Sequence, residues 1–246
     1  MQLSNQSKSQ FKYKKNAMKK WAELLPVMNS ERMSVVLDSV SKFAEKYTLL
    51  PREDDVFDMF RMILPHEVKV VFVGQSPYPG YCPVTKIPYA CGPAFLPSQK
   101  CITTPLTLQN IVSEVCRDFG IKKLCKPPSR MLIDWIDQGT MLLNASMTMG
   151  TNCPKYLEDH SVAWEEVMQE ILLTISEKLD PVFVLVGKDA WKFENCITRD
   201  CRVIKVSHPV ARKETSTPWM KSSVFSSISS MLIDKEISPI QWIRYN

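Results

Sequence analysis

Glycine is scarce in this chain, with 7 in 246 residues, and no segment recurs at a fixed period. That excludes glycine-rich low-complexity arrays and repeat solenoids. No stretch has the length and apolarity of a membrane span, and the N-terminus lacks the apolar h-region of a secretory signal. Histidine is rarer still: His66, His160 and His208 are the only three. The 8 cysteines contain no CxxC pair and no spacing that reads as a zinc site. Reduced thiols in an intracellular protein are the first reading. Cys82, Cys91 and Cys101 surround one loop region, which keeps a metal or a disulfide open as the alternative.

What is present points to a globular protein. The chain is 45% hydrophobic, enough for one substantial core, and 17 prolines punctuate it. The formal charge of +5 is mild but unevenly spread: Lys8, Lys12, Lys14, Lys15, Lys19 and Lys20 all precede the first acid, Glu23. Residues 1–15 are polar, without apolar period, and read as a disordered basic arm. Such an arm binds nucleic acid, serves as an import signal, or is simply a solvated tail. Residues 16–246 read as a single domain.

Within that domain strands alternate with helices. Val36, Val40, Phe43 and Tyr47 recur at helical spacing behind an Asn29/Ser30 cap, and Val56, Phe60 and Ile63 mark a short helix. Thr104-Pro105 predicts a helix start, with Thr104 as the cap, and Gly120 predicts its stop. Trp164 to Ile175 and Val224 to Leu232 carry the spacing of two more amphipathic helices. Between these lie the apolar runs 68–73, 141–143, 182–186 and 203–206. The pattern is that of an α/β protein with a mainly parallel sheet. Each run then releases a polar or special residue: Gly74-Gln75, Asn144, Gly187-Lys188 and Ser207-His208. Parallel strands point the same way, so these exits are expected to line one crevice.

The first exit carries the densest chemistry, Gly74-Gln75-Ser76-Pro77-Tyr78-Pro79-Gly80, a polar loop stiffened by proline. Gly74-Gln75-Ser76 has the opening of a G-x-S-x-G nucleophile elbow, with His208 as a base late in the chain. Yet Tyr78 stands where the second glycine belongs, and Pro77 has no N–H to give an oxyanion hole. A serine hydrolase is therefore disfavoured on chemical grounds.

Gly74 to Pro79 resembles the GQDPYH water-activating motif of family 1 uracil-DNA glycosylases. In family order follow Cys91-Gly92-Pro93-Ala94-Phe95, similar to HGLAF, and Leu106 to Ile111, similar to PSLQNI. Gly139 to Asn144 is similar to GVLLLN, His208 to Arg212 falls where HPSPL does, and Pro239-Ile240-Gln241-Trp242 resembles PIDW. The resemblance implies a three-layer α/β/α fold around a four-stranded sheet. It implies excision of uracil from single- or double-stranded DNA, with no metal, no cofactor and no membrane. Phe95 would stack on an extruded uracil, Asn144 would read its Watson–Crick edge, and Tyr78 would exclude the methyl of thymine. Gln75 would offer backbone contacts and His208 would meet uracil O2. Thr107, Ser207, Arg212 and Lys213 would hold the DNA. Action inside the cell is implied, in the nucleus of the cell or of an infected host cell, or in the cytoplasm. Replication proteins are implied as further partners.

The departures from the motif matter as much. Ser76 replaces the acid that orients the attacking water, and Pro79 and Arg212 are features of the poxvirus branch. The missing carboxylate gives an alternative: a catalytically impaired glycosylase fold retained as a DNA-binding or replication-accessory module.

Overall fold

The computed structural model describes residues 10–122, 124, 126–151, 154–198, 200–211 and 216–243, with residues 154–156 described by backbone alone. The N-terminal third is mostly helical: α1 (Ala17–Leu24), α2 (Glu31–Ala44) and α3 (Asp58–Met62), with a two-residue strand, β1 (Leu49–Leu50), before α3. Ser30 caps α2 as expected, its hydroxyl accepting the Met33 N–H at 3.3 Å. The part of the expected basic arm that is described is firmly tied down. Lys14 N–H donates to the Arg61 carbonyl at 2.8 Å, Tyr13 OH to Asp58 at 2.7 Å, and the Gln10 side chain accepts from Ser98 and Gln99. Phe11 is buried. Residues 10–15 are therefore packed rather than disordered; residues 1–9 lie outside the described residues.

The sheet is built from β2 (Val70–Gly74) and β3 (Thr140–Asn144), with α4 (Leu106–Asp118) and α5 (Pro128–Ile136) between them. After β3 come the short β4 (Met149–Gly150), the long α6 (Pro154–Leu179) and β5 (Val182–Val186). Then follow α7 (Lys188–Trp191), β6 (Val203–Val206) and α8 (Val224–Asp234). The four main strands lie in the order β3-β2-β5-β6, every pair parallel, and β1 pairs antiparallel with β4 to one side. β2, β3 and β5 are buried along their whole length. That is why they read as unbroken apolar runs: a parallel sheet is covered on both faces. Helices on the two faces make the three layers α/β/α.

On one face Phe72 of β2 meets Trp135 of α5, Phe225 of α8 and Trp242, with ring centroids 6.3–6.5 Å apart. The Trp135 indole donates to the Trp242 carbonyl at 2.9 Å, so the closing Pro239–Trp242 segment is locked into this cluster. Each such ring contributes roughly 1.5–3 kcal/mol by burial. The periodicity reading passed over α5, a short helix in which Met131 to Ile136 are all buried, the paired carboxylate of Asp134 among them. The α4 start also differs. The helix begins at Leu106 with Pro105 in the cap position and no side-chain cap, while the Gln109 side chain reaches back to the Thr104 carbonyl at 2.7 Å.

Candidate active site

All four main strands end at the same edge of the sheet, and their exits meet. Gly74 closes β2, opposite Asn144 in register. A Cβ on Gly74 would stand 2.7 Å from Phe95 Cζ and 3.0 Å from Asn144 Oδ1, so both side chains lie directly on that glycine. Only a residue without a side chain permits the approach. Phe95 itself has φ 63°, a left-handed conformation rare for a bulky residue and characteristic of functional positions. Its carbonyl accepts the Tyr78 hydroxyl at 2.7 Å, which pins the Pro-Tyr-Pro run in one orientation.

The next residues are bound across the sheet edge. Ala145 N–H donates to the Gly74 carbonyl at 2.8 Å, and Ser146 N–H to the Gln75 carbonyl at 3.0 Å. The Gln75 side chain donates to Asp189 of α7 at 2.7 Å. On the β6 side, His208 packs against Gly187, where an added Cβ would meet His208 Cβ at 3.3 Å. His208 Nδ1 accepts the Val210 N–H at 3.3 Å. In the neutral ring the proton must then sit on Nε2. Asn110 of α4 donates to the Pro209 carbonyl at 2.8 Å and so holds this turn; the sequence offered no more for it than a helix-turn polar.

These exits enclose one cavity of about 620 Å³, a size suited to a small ligand or a single nucleotide. Gln75, Ser76, Tyr78 and Phe95 line it from the β2 side, Thr107 from α4, Asn144 from β3 and His208 from β6. Those seven sequence-derived site residues are therefore brought together. Ser207 is not among the lining residues: it is 4% exposed, and its N–H donates to the Thr217 carbonyl at 2.8 Å. Arg212 and Lys213 lie outside the described residues. Sequence reasoning missed Gly74 as a packing requirement and Asp189 altogether, a helix-start acid with no motif around it.

The electrostatics are those of a dry, nearly uncharged slot. Burial pushes the Tyr78 phenol and the Cys91 thiol up, so both stay neutral. Burial also lowers the His208 pKa below its ordinary value, with Asp189 acting in the opposite direction. His208 is thus a neutral donor at pH 7. Asn144 is 4% exposed, and its side-chain amide has no partner among the described residues. The residue lines the cavity, where a ligand can reach the amide. Cys82, Cys91 and Cys101 are free thiols, and the described residues contain no group of side chains arranged to hold a metal.

No family model matches the chain. A uracil-DNA glycosylase of Streptococcus gordonii is 31% identical over 199 residues, covering 80% of this chain and 84% of that protein. The chain belongs to the uracil-DNA glycosylase family. A probable uracil-DNA glycosylase of Acanthamoeba polyphaga mimivirus is 27% identical over 213 residues, 85% of this chain and 54% of that one. The crystal structure of the mimivirus uracil-DNA glycosylase superposes with a TM-score of 0.79 at 25% identity, covering 98% of this chain and 96% of the other. Within the glycosylase family, the unusual feature of this site is its wall: Ser76 lines the cavity where the motif carries an acid.

Proposed function

We propose that this protein excises uracil from DNA by hydrolysing the N-glycosidic bond of a flipped-out deoxyuridine. The single observation that carries the reading is the Asn144 amide, unpaired among the described residues and lining the cavity beside the Phe95 ring. An amide sets an acceptor and a donor side by side, matching N3–H and O4 of the same base. The base must leave the stack to reach it, since its glycosidic carbon is shielded within the duplex.

In this mechanism Phe95 stacks on the extruded base and Tyr78 stands where a 5-methyl group would fall. The bond between N1 and C1′ breaks and its electron pair stays with the base. His208 Nε2–H donates to O2 as negative charge builds there, a stabilisation that grows only toward the transition state. Water near the Ser76 hydroxyl then adds to C1′ of the sugar cation and loses a proton. Ser76 binds water but carries no charge, so this last interaction is the weak one. Thr107, Ser207, Arg212 and Lys213 are the proposed DNA contacts. Action on DNA implies the nucleus of the cell or of an infected host cell, or the cytoplasm, with replication proteins as proposed partners.

The test is single-turnover excision from uracil-containing single-stranded DNA by the natural protein and by Ser76→Asp. The natural protein is expected to excise uracil. Restoring the carboxylate should raise the rate roughly 10²–10⁴-fold, the worth of a positioned acid or base. No excision by the natural protein, with DNA binding intact, would leave only a DNA-binding accessory role, the reading that Ser76 favours.

A further inference from the structure

The reaction proposed above separates charge, yet among the described residues the cavity wall holds no Asp, Glu, Lys or Arg. One carboxylate reaches that wall from behind. Asp189 accepts the Gln75 side-chain N–H at 2.7 Å, a bond that joins the β2 exit to the β5 exit across 114 residues of chain. It follows Gly187, the residue against which His208 packs. We propose that Asp189 is a positioning residue of this site: it fixes Gln75 and sets a formal negative charge beside His208, in a wall where Ser76 supplies none. The inference rests on the glycosylase reading.

Two arguments support it. The first is mechanical. The Gln75 backbone carbonyl is already held by Ser146 N–H, and Asp189 holds its side chain, so the residue leading into Ser76 is gripped at backbone and side chain alike. A water-positioning hydroxyl needs that rigidity, because displacement by about 1 Å costs on the order of a hundredfold in rate. The second is electrostatic. The other ionisable groups of the cavity, Tyr78 and Cys91, are kept neutral by burial, and Lys188 beside Asp189 is exposed. Asp189 is therefore the charge that acts on the half-buried imidazole, opposing the effect of burial. A negative charge behind the wall favours the positive charge that develops on the sugar.

Asp189→Asn tests this directly, since it keeps an oxygen to accept from Gln75 and removes only the charge; Asp189→Ala removes both. Single-turnover excision should fall in Asp189→Asn, and further, by up to about a hundredfold, in Asp189→Ala, the cost of a displacement of about 1 Å at the reacting centre. His208, followed by NMR titration without substrate, should titrate at lower pH in Asp189→Asn than in the natural protein. In a Ser76→Asp background the cost of Asp189→Asn should shrink, because the wall then has its own carboxylate. Unchanged rates together with an unchanged His208 titration would overturn the inference, as would an equal cost in both backgrounds. If the natural protein excises no uracil, the glycosylase reading fails. The substrate-free titration still reports separately whether Asp189 acts on His208, and an unmoved titration would overturn that too.

Discussion

Two clusters of polar side chains are buried equally deeply in this protein, and they are finished to different degrees. Glu114, on α4, is 0% exposed. Its carboxylate accepts from the Arg117 guanidinium twice at 2.8 Å, from Lys221 N–H at 2.8 Å, from Ser223 N–H at 3.0 Å and from the Ser222 hydroxyl at 3.3 Å. Burial works against its charge, but these donors hold its pKa below the ordinary carboxylate value. Asn144, at the end of β3, is as deep and has no partner among the described residues. The same helix α4 carries Thr107 at the cavity and Glu114 farther along. One cluster is closed and ties α4 to the start of α8; the other is left open at the cost of stability, which is what a binding site requires.

The largest expected effect attacks the closed cluster. Glu114→Ala leaves the Lys221 and Ser223 N–H groups without their acceptor, each costing about 1–3 kcal/mol of unfolding free energy. Urea denaturation measures it. Excision per folded molecule should be little changed, since Glu114 does not line the cavity. Asn144→Ala should do the reverse. Losing a group bound only to the reacting base costs about 2.7–4 kcal/mol of barrier, a factor of roughly 10²–10³. Stability should change by less than about 1 kcal/mol, because no internal hydrogen bond is broken. A large stability loss in Asn144→Ala would mean the amide is structural and would erase the contrast.

Gly74→Ala sharpens the comparison from the backbone side. The new methyl would meet Phe95 Cζ at 2.7 Å and Asn144 Oδ1 at 3.0 Å. Overpacking of this kind costs about 1–3 kcal/mol. Here it displaces the two groups proposed to hold the base, so excision should fall more steeply than stability. Equal excision in Gly74→Ala and the natural protein would show that the close approach serves packing alone.

Most of the open cluster was legible in the sequence because parallel strands impose one grammar on it. A buried strand reads as an apolar run, and the residue that follows must face the crevice. Asn144, Gln75 and His208 follow from that rule. Phe95 does not: it sits in an irregular loop in a left-handed conformation, and only the likeness of Cys91–Phe95 to a family motif pointed to it. Asp189 was illegible for a related reason. An acid in the first turn of a short helix is ordinary, and its partner Gln75 is distant in the chain. Glu114 too is unreadable from its spacing, since three of its donors come from residues 221–223. In the fold, α5 escaped because it is short and its Asp134, a polar residue in the run, is buried against Lys126 and Arg130. Arg212 and Lys213 were singled out from the motif they follow and lie outside the described residues.

The smallest effect separates two histidines, His160 buried and His208 half-buried, which repeat the contrast of closed and open. His160 is closed: Nδ1 pairs with the Thr148 hydroxyl at 2.8 Å and Nε2 with the Tyr47 hydroxyl at 3.2 Å. His208 has one nitrogen engaged and lines the cavity. Burial pulls the His160 pKa down to about 4, against 6.5 for the free side chain. The folded protein then binds this proton less readily than the unfolded chain. The contribution of His160 to stability is present above pH 6.5 and is lost as pH falls toward 4. Asp58 has the opposite sign: burial raises its carboxyl from 3.8 to about 6, so its contribution is present below 3.8 and lost as pH rises through 6. The two slopes partly cancel in the natural protein. His160→Gln removes one of them, so the variant should be less stable at pH 7 yet lose less stability between pH 6.5 and pH 4.5. Urea midpoints at the two pH values measure the difference, and an unchanged slope would show that Thr148 and Tyr47 bind the charged ring as well as the neutral one. His208→Gln should leave the pH 7 stability nearer that of the natural protein, because the group it removes faces the cavity rather than a completed network.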